Sequence, residues 1–272
     1  MRMNQPYAAA RRAAVAVFAL LAASAFLPGA VLHGEEAVLP GAAAPAQEAS
    51  GTPAARAPAH AAPDEASLEV RAFRFLNGSI ATPFLDTIMP YATDFDKWRI
   101  IVVLVWCALV LFGKTKGRWA ALMMIPVIVA SDQIASSVIK PLVERMRPCE
   151  VLGNVHLWYG PEGWITTPAE VSRSYKSSFS FPSSHAANIT ASMLFLGLVY
   201  RRSLVPLLAL AFVVSFSRIY IGVHWPSDTL GGMALGALIA WPAYAIYRRA
   251  YRGARGESGP VTESEPGTPP SE

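Results

Sequence analysis

Six apolar runs divide the chain: Ala13–Val31, Trp98–Phe112, Trp119–Ile139, about Ala186–Tyr200, Leu204–Ile221 and Thr229–Tyr247. Each approaches the roughly 20 residues that carry a helix across a bilayer. Nineteen helical residues rise about 28 Å, close to the hydrocarbon thickness. The second run is short unless it reaches back through Tyr91. The pattern predicts an all-α polytopic membrane bundle of about six transmembrane helices. The first run has two readings. Arg11-Arg12, an apolar core and Ala23-Ser24-Ala25 fit a cleaved secretory signal. Continued apolarity to Val31 favours an uncleaved signal anchor.

The connecting segments alternate in character. Short basic ones hold Arg11-Arg12, then Lys114, Lys116 and Arg118, then Arg201-Arg202, then Arg248, Arg249, Arg252 and Arg255. The longer ones, 32–97, 140–182 and 222–228, are mixed in charge. Positive loops stay in the cytoplasm, so this bias places both termini there and the longer segments outside. The expected organisation is a signal-anchor segment over 1–32, a flexible periplasmic linker over 33–69, a membrane domain over 70–250 and a disordered cytoplasmic tail over 251–272. Residues 73–95, with scattered Phe, Leu and Ile, read as an amphipathic interfacial segment. Composition agrees: 53% of residues are hydrophobic and 15% charged, below the about 25% charge of soluble domains. The net charge of +4 comes without a basic stripe, which sets nucleic acid aside as a partner. Cys107 lies in an apolar run and Cys149 beside a polar loop, so no bridge between them is expected.

The chemistry-bearing residues stand at the outer ends of the last four runs. Lys140, Arg145, Arg147 and Pro148 follow the third run. Pro182-Ser183-Ser184-His185 opens the fourth. Ser217-Arg218 closes the fifth, and His224 and Asp228 precede the sixth. Were the third helix to continue, Lys140 and Arg147 would share one face about 10 Å apart, although Pro141 and Pro148 argue against a clean continuation. Gathering these cations with Arg218 on a partly dehydrated face is costly without an anion. Arginine forks and a lysine point charge suit phosphate oxygens; pairing with Glu144 and Glu150 is the plainer alternative. Ser183 reads as a helix cap whose first-turn amides face outwards, a ready anion site. His224 and Asp228 have the i, i+4 spacing of one helix face, where a carboxylate fixes one imidazole nitrogen and leaves the other as nucleophile or base. A metal is disfavoured because the neighbours are cationic, and no cofactor is expected.

These three clusters resemble the signature of the type 2 phosphatidic acid phosphatase (PAP2) superfamily of membrane lipid phosphatases. They stand as Lys140-x6-Arg147-Pro148, Pro182-Ser183-Ser184-His185 and Ser217-Arg218-x5-His224-x3-Asp228, and the spacing matches in all three. Ser184 departs from the usual glycine, which tightens backbone approach to phosphate. The resemblance, over roughly residues 70–250, implies a metal-independent phosphohydrolase. It implies that His224 attacks phosphorus, that Asp228 orients His224, and that His185 protonates the leaving oxygen and then activates water. It assigns phosphate binding to Lys140, Arg147, Ser183, Arg218 and the backbone amide of Ser184. Its leading implied substrate is undecaprenyl diphosphate, followed by lipid A 1-phosphate and phosphatidylglycerol phosphate. The expected partners are the bilayer and this lipid, at a site facing the periplasm of a bacterial inner membrane.

Asp132, inside the third run, reads as a structural partner of Gln133, Ser136 or a polar group on another helix, with function as the alternative. Asn188 follows His185 by three residues and either shares its face or ties the helix to a neighbour. Two rivals of other classes stand beside the phosphatase: a lipid-binding or transport protein that keeps only the phosphate cage, and a vanadate haloperoxidase. Intact His224, Asp228 and His185 argue against the first, and several membrane runs against the second.

Overall fold

The computed structural model describes residues 63–170, 175–176 and 178–255. The first apolar run, most of the linker and most of the tail lie outside the described residues. Helix α1 (Leu68–Arg74) passes through a π turn (Phe75–Ser79) to α2 (Pro83–Thr93) and α3 (Phe95–Phe112). Helix α4 (Lys114–Gln133) continues through a second π turn (Ile134–Ile139) into α5 (Lys140–Val143), and α6 (Pro148–Val151) follows. A small antiparallel hairpin, β1 (His156–Trp158) and β2 (Trp164–Thr166), pairs Leu157 with Ile165. Three long helices complete the bundle: α7 (Ser184–Val199), α8 (Leu204–Tyr220) and α9 (Pro226–Ala254). Helix α1 starts inside the stretch read as linker, with Ser67 capping it through the amide of Val70 at 3.2 Å.

Three described stretches are long and apolar enough to cross a membrane: Lys114–Val151, Arg201–Tyr220 and Pro226–Ala254. Ser184–Val199 is apolar but shorter. Helix α3 is apolar along most of its length but begins with Asp96, Lys97 and Arg99. The count of about six is thus not reached among the described residues.

The bundle is arranged for lipid rather than water. Large apolar side chains point outwards, with Leu230 65% and Leu238 72% exposed on α9 and Leu104 62% exposed on α3. Small and hydroxyl residues occupy the interior: Ala120, Ala187, Ala191, Ala240, Ser131, Thr190 and Ser215 are buried. Lipid tails give helices no hydrophobic reason to associate, so close backbone approach takes over. Gly232 and Gly236 supply it on α9. A Cβ on Gly236 would stand 2.4 Å from the carbonyl oxygen of Ala187, and one on Gly232 2.4 Å from that of Ser183. Polar contacts also join helices: Asn188 donates to Asp132 at 3.1 Å, which ties α7 to α4 as the structural reading of both residues expected.

Residues 73–95 are only partly interfacial. Val70 and Phe73 are buried in an outer cluster with Val155, Leu157, Tyr220, Val223 and Trp225, while Phe75 and Phe84 are exposed. Asn77 fastens this cap. Its side-chain amide donates to the carbonyls of His156 and Tyr220, both at 2.7 Å, and its oxygen accepts from the His156 amide at 3.1 Å. The hairpin and the end of α8 are thereby held over the outer ends of α7 and α9.

The glycine contacts make a direct prediction. Gly236→Val puts methyl groups into the backbone of α7 and destabilises by about 1–3 kcal/mol, the usual cost of overpacking. Thermal unfolding in detergent is expected to show a lowered midpoint, whereas Gly78→Ala, which meets nothing within 4 Å, leaves it close to the parent value.

Candidate active site

The site forms where the outer ends of α7, α8 and α9 meet the 144–147 segment. Helix α8 ends at Tyr220, and Gly222 at φ +85° turns the chain back. A side chain there is doubly excluded, since its Cβ would lie 2.8 Å from the His156 carbonyl. His224 follows, before α9 begins at Pro226. His224 and Asp228 therefore do not share a helix face, as their spacing suggested. They meet because Asp228 caps the helix: its Oδ2 accepts the amide of Trp225 at 2.8 Å, which turns the carboxylate back towards His224. Oδ2 lies 3.5 Å from His224 Nδ1, an orienting distance at the long limit of a hydrogen bond.

Both residues are fully buried. A buried carboxylate needs several donors, and Asp228 has them. Ser180 Oγ donates to Oδ2, and Arg145 Nη1 donates to Oδ1 at 2.8 Å. Arg145 is itself held by Glu69 from α1, by Ser227 Oγ at 2.6 Å and by the ring of Trp225, 5.3 Å from its guanidinium carbon. Ser227 Oγ also donates to Glu69.

On the other edge of the imidazole, Arg147 Nη1 lies 3.2 Å from His224 Nε2. Arginine has no acceptor, so Nε2 carries the lone pair and Nδ1 the proton, which faces Asp228. Arg147 is aimed by the Ser178 carbonyl at 2.8 Å, Ser178 Oγ at 2.9 Å and the Val223 carbonyl at 3.0 Å. Its own amide donates to Glu150 Oε2 at 3.3 Å, which opens α6. Glu150 thus pairs with the backbone of this arginine, while Glu144 is exposed in the left-handed region and ends α5.

Ser183 caps α7, accepting the Ala186 amide at 3.4 Å, and its own amide donates to the Asp228 carbonyl at 3.0 Å. The first turns of α7 and α9 are thereby joined. Ser184 Oγ lies 2.9 Å from Ser136 Oγ in the π turn of α4, and His185 is half-buried one residue on. Lys140, directly after that π turn, is buried, and so is Arg218, whose Nη1 donates to Thr93 Oγ1 at 2.7 Å. Direct contacts therefore join His224, Asp228, Arg147 and Ser183. Lys140, Ser184, His185 and Arg218 belong to the same end of the bundle by their places in the helices. Among the described residues no three His, Cys, Asp or Glu side chains gather as a metal-binding group.

Several organising residues escaped the sequence reading. Arg145 stood in the basic cluster, but its partners are protein carboxylates, Glu69 and Asp228, rather than a bound anion. The two-residue spacing of Arg145 and Arg147 in an extended segment was the available signal: one reaches Asp228 and the other His224. Ser178, Ser180 and Glu69 carried no motif.

The arrangement is an imidazole with one ring nitrogen towards a guanidinium, a fully buried carboxylate beside the other, and hydroxyl groups close by. That combination serves nucleophilic attack on a centre surrounded by negative oxygens. The sequence profile of the PAP2 superfamily matches residues 121–252, which contain every predicted site residue. The chain is similar to the lipid A 4'-phosphatase of Bacteroides thetaiotaomicron, 27% identical over 187 residues that cover 66% of this chain and 76% of that one. It is also similar to phosphatidylglycerophosphatase B of Bacillus subtilis, 28% identical over 174 residues, 59% of this chain and 74% of that one. A third relative is undecaprenyl-diphosphatase BcrC of Bacillus subtilis, 26% identical over 162 residues, 58% and 72% of the two chains. The three clusters thus lie within the stretch that matches the PAP2 superfamily, and the relatives of this chain are lipid phosphatases, which supports a membrane lipid phosphatase.

Proposed function

We propose that the protein hydrolyses the terminal phosphate of a membrane lipid phosphate or diphosphate through a phosphohistidine at His224, at the periplasmic face. The observation that carries this reading is the pair of contacts on the imidazole: Arg147 on Nε2 and Asp228 beside Nδ1. When a phosphoryl group enters, Arg147 exchanges its contact with Nε2 for phosphoryl oxygens, and the freed lone pair faces phosphorus. The Nε2–P bond forms as the P–O bond to the lipid breaks. His185 gives the leaving oxygen its proton. His185 then takes a proton from water as the water oxygen attacks phosphorus and the P–N bond breaks, which returns His224 neutral and releases inorganic phosphate. Asp228 balances the positive imidazole of the intermediate. Lys140, Arg147, Arg218, Ser183 and the Ser184 amide neutralise the equatorial oxygens, the task that metal ions perform in other phosphoryl-transfer sites.

Undecaprenyl diphosphate is the leading substrate, on the family resemblance and on the similarity to an undecaprenyl-diphosphatase. A lipid A phosphate is the second reading, supported by the similarity to a lipid A 4'-phosphatase. Both carry a phosphate at the end of a lipid anchored in the leaflet. The periplasmic assignment is supported by the short basic loops, which cluster at the opposite end of the bundle from His224.

The test is phosphate release by the purified protein in EDTA from undecaprenyl diphosphate, lipid A and phosphatidylglycerol phosphate in parallel. Release is expected to survive EDTA and to fall at least about a thousandfold in His224→Ala. Release from none of the three lipids by folded protein contradicts the proposal, and the relative rates rank the substrates. Arg145 acts through Asp228 rather than on phosphate. Arg145→Gln is therefore expected to lower kcat about tenfold to a hundredfold with little change in KM, while Arg147→Gln, which loses a phosphate ligand, raises KM as well. Equal effects of both on KM would place Arg145 on the substrate instead.

A further inference from the structure

The far end of the bundle holds a cation-lined cavity. It has a volume of about 240 Å³ and lies between the start of α4, the end of α7 and the last turns of α9. Its lining includes Lys116, Arg248 and Arg252 together with Tyr244, Tyr247 and Tyr251. The α9 residues lie 16 to 24 positions beyond Asp228, about 24 to 36 Å further along the helix. This cavity is therefore separate from the His224 site.

None of the described residues lining it is acidic. Three cations thus converge on one concavity without a lining carboxylate to offset them, an arrangement that favours an anion between them. The walls are largely aromatic. Tyr244, Tyr247 and Tyr251 stack along one face of α9, with centroids 6.1 and 5.7 Å apart and ring planes within 17° and 5°. Tyr247 is further fixed edge-on by Phe195 at 5.8 Å. Lys116 Nζ sits 4.6 Å over the Tyr200 ring and Arg248 5.9 Å over Tyr244, so aromatic faces hold both cations in place while leaving their hydrogen-bond donors available. The volume falls below the roughly 300 Å³ at which pockets for drug-sized ligands begin, which suits a headgroup and not a whole lipid. The surrounding surface is apolar, with Trp241 and Ile246 exposed on α9 one or two turns away, where acyl chains would lie.

We propose that this cavity binds the phosphate of an anionic phospholipid headgroup in the leaflet opposite the catalytic site. On the orientation given above this is the cytoplasmic leaflet, where anionic lipids meet basic pockets between helices. The ligand chemistry is a phosphate ester anion: Lys116, Arg248 and Arg252 supply charge, and the hydroxyls of Tyr244 and Tyr251 supply donors, while that of Tyr247 donates to the Lys116 carbonyl at 3.4 Å.

Native mass spectrometry of the full chain in non-ionic detergent tests this by titration with phosphatidylglycerol, phosphatidylcholine and glycerol 3-phosphate. Phosphatidylglycerol is expected to bind more tightly than phosphatidylcholine. The triple variant Lys116→Gln, Arg248→Gln, Arg252→Gln is expected to weaken it by roughly fivefold per cation removed, on the order of a hundredfold in all. His224→Ala is expected to leave this binding unchanged, which separates the cavity from the catalytic site and from the proposal made for it. Arg252→Gln alone, at an exposed position, is expected to weaken binding about fivefold and keeps the test decisive if the triple variant does not fold. Equal affinity of parent and Arg252→Gln protein, or phosphatidylglycerol held no better than phosphatidylcholine, overturns the proposal. Glycerol 3-phosphate bound as tightly as the lipid overturns the assignment to a lipid source.

Discussion

The carboxylate of Asp228 is the point on which the site depends. It is fully buried, so its charge is tolerable only with donors on every side, and each donor comes from a different part of the chain. The Trp225 amide starts α9, Ser180 brings in the segment before α7, and Arg145 brings in the segment after α4 with α1 behind it. Satisfying one charge therefore assembles the outer end of the bundle. The remaining neighbour of that carboxylate is His224, whose tautomer it fixes. The same contact thus joins the parts of the fold and orients the imidazole.

Close helix packing delivers the elements to that point. Gly232 and Gly236 let α9 lie against the backbone of α7, and the Ser183 amide bonds the Asp228 carbonyl at the top of the same contact. The cap of α7 is thereby held in register with the carboxylate that faces His224. The π turn of α4 adds Ser136 against Ser184 and leads into Lys140. A wider turn inside a helix is a common device at functional sites. Outside this polar end the sides of the bundle present leucine, valine and tryptophan to lipid, so the site is a protected polar cluster at one end of an apolar body.

Much of this was legible in the sequence because membrane helices and phosphate chemistry both leave coarse signals. Apolar length predicted α4, α7, α8 and α9, and three spaced clusters predicted which ends would meet. The pairing of His224 with Asp228 was also legible, although for the wrong geometric reason: spacing suggested a shared helix face, and capping produces the contact instead. What was not legible depends on long-range partners. Nothing near Arg145 in sequence announces Glu69, which lies 76 positions earlier, so it stood in the basic cluster without a role of its own. Ser180 and Ser178 belong to a polar stretch with no periodicity, and only the folded chain brings them to Asp228 and Arg147. Phe73 read as interfacial because hydrophobicity alone does not distinguish a lipid-facing ring from one packed 5.5 Å from Trp225.

The central claim is that His224 Nε2 is the atom that bonds phosphorus. It is tested most directly by rapid acid-free quench of the enzyme with substrate labelled in its terminal phosphate, followed by peptide mapping. The account predicts an acid-labile, base-stable phosphoramidate on the peptide that contains His224, formed before free phosphate appears. Label that never enters the protein during turnover, or that is found on a residue other than His224, would contradict it.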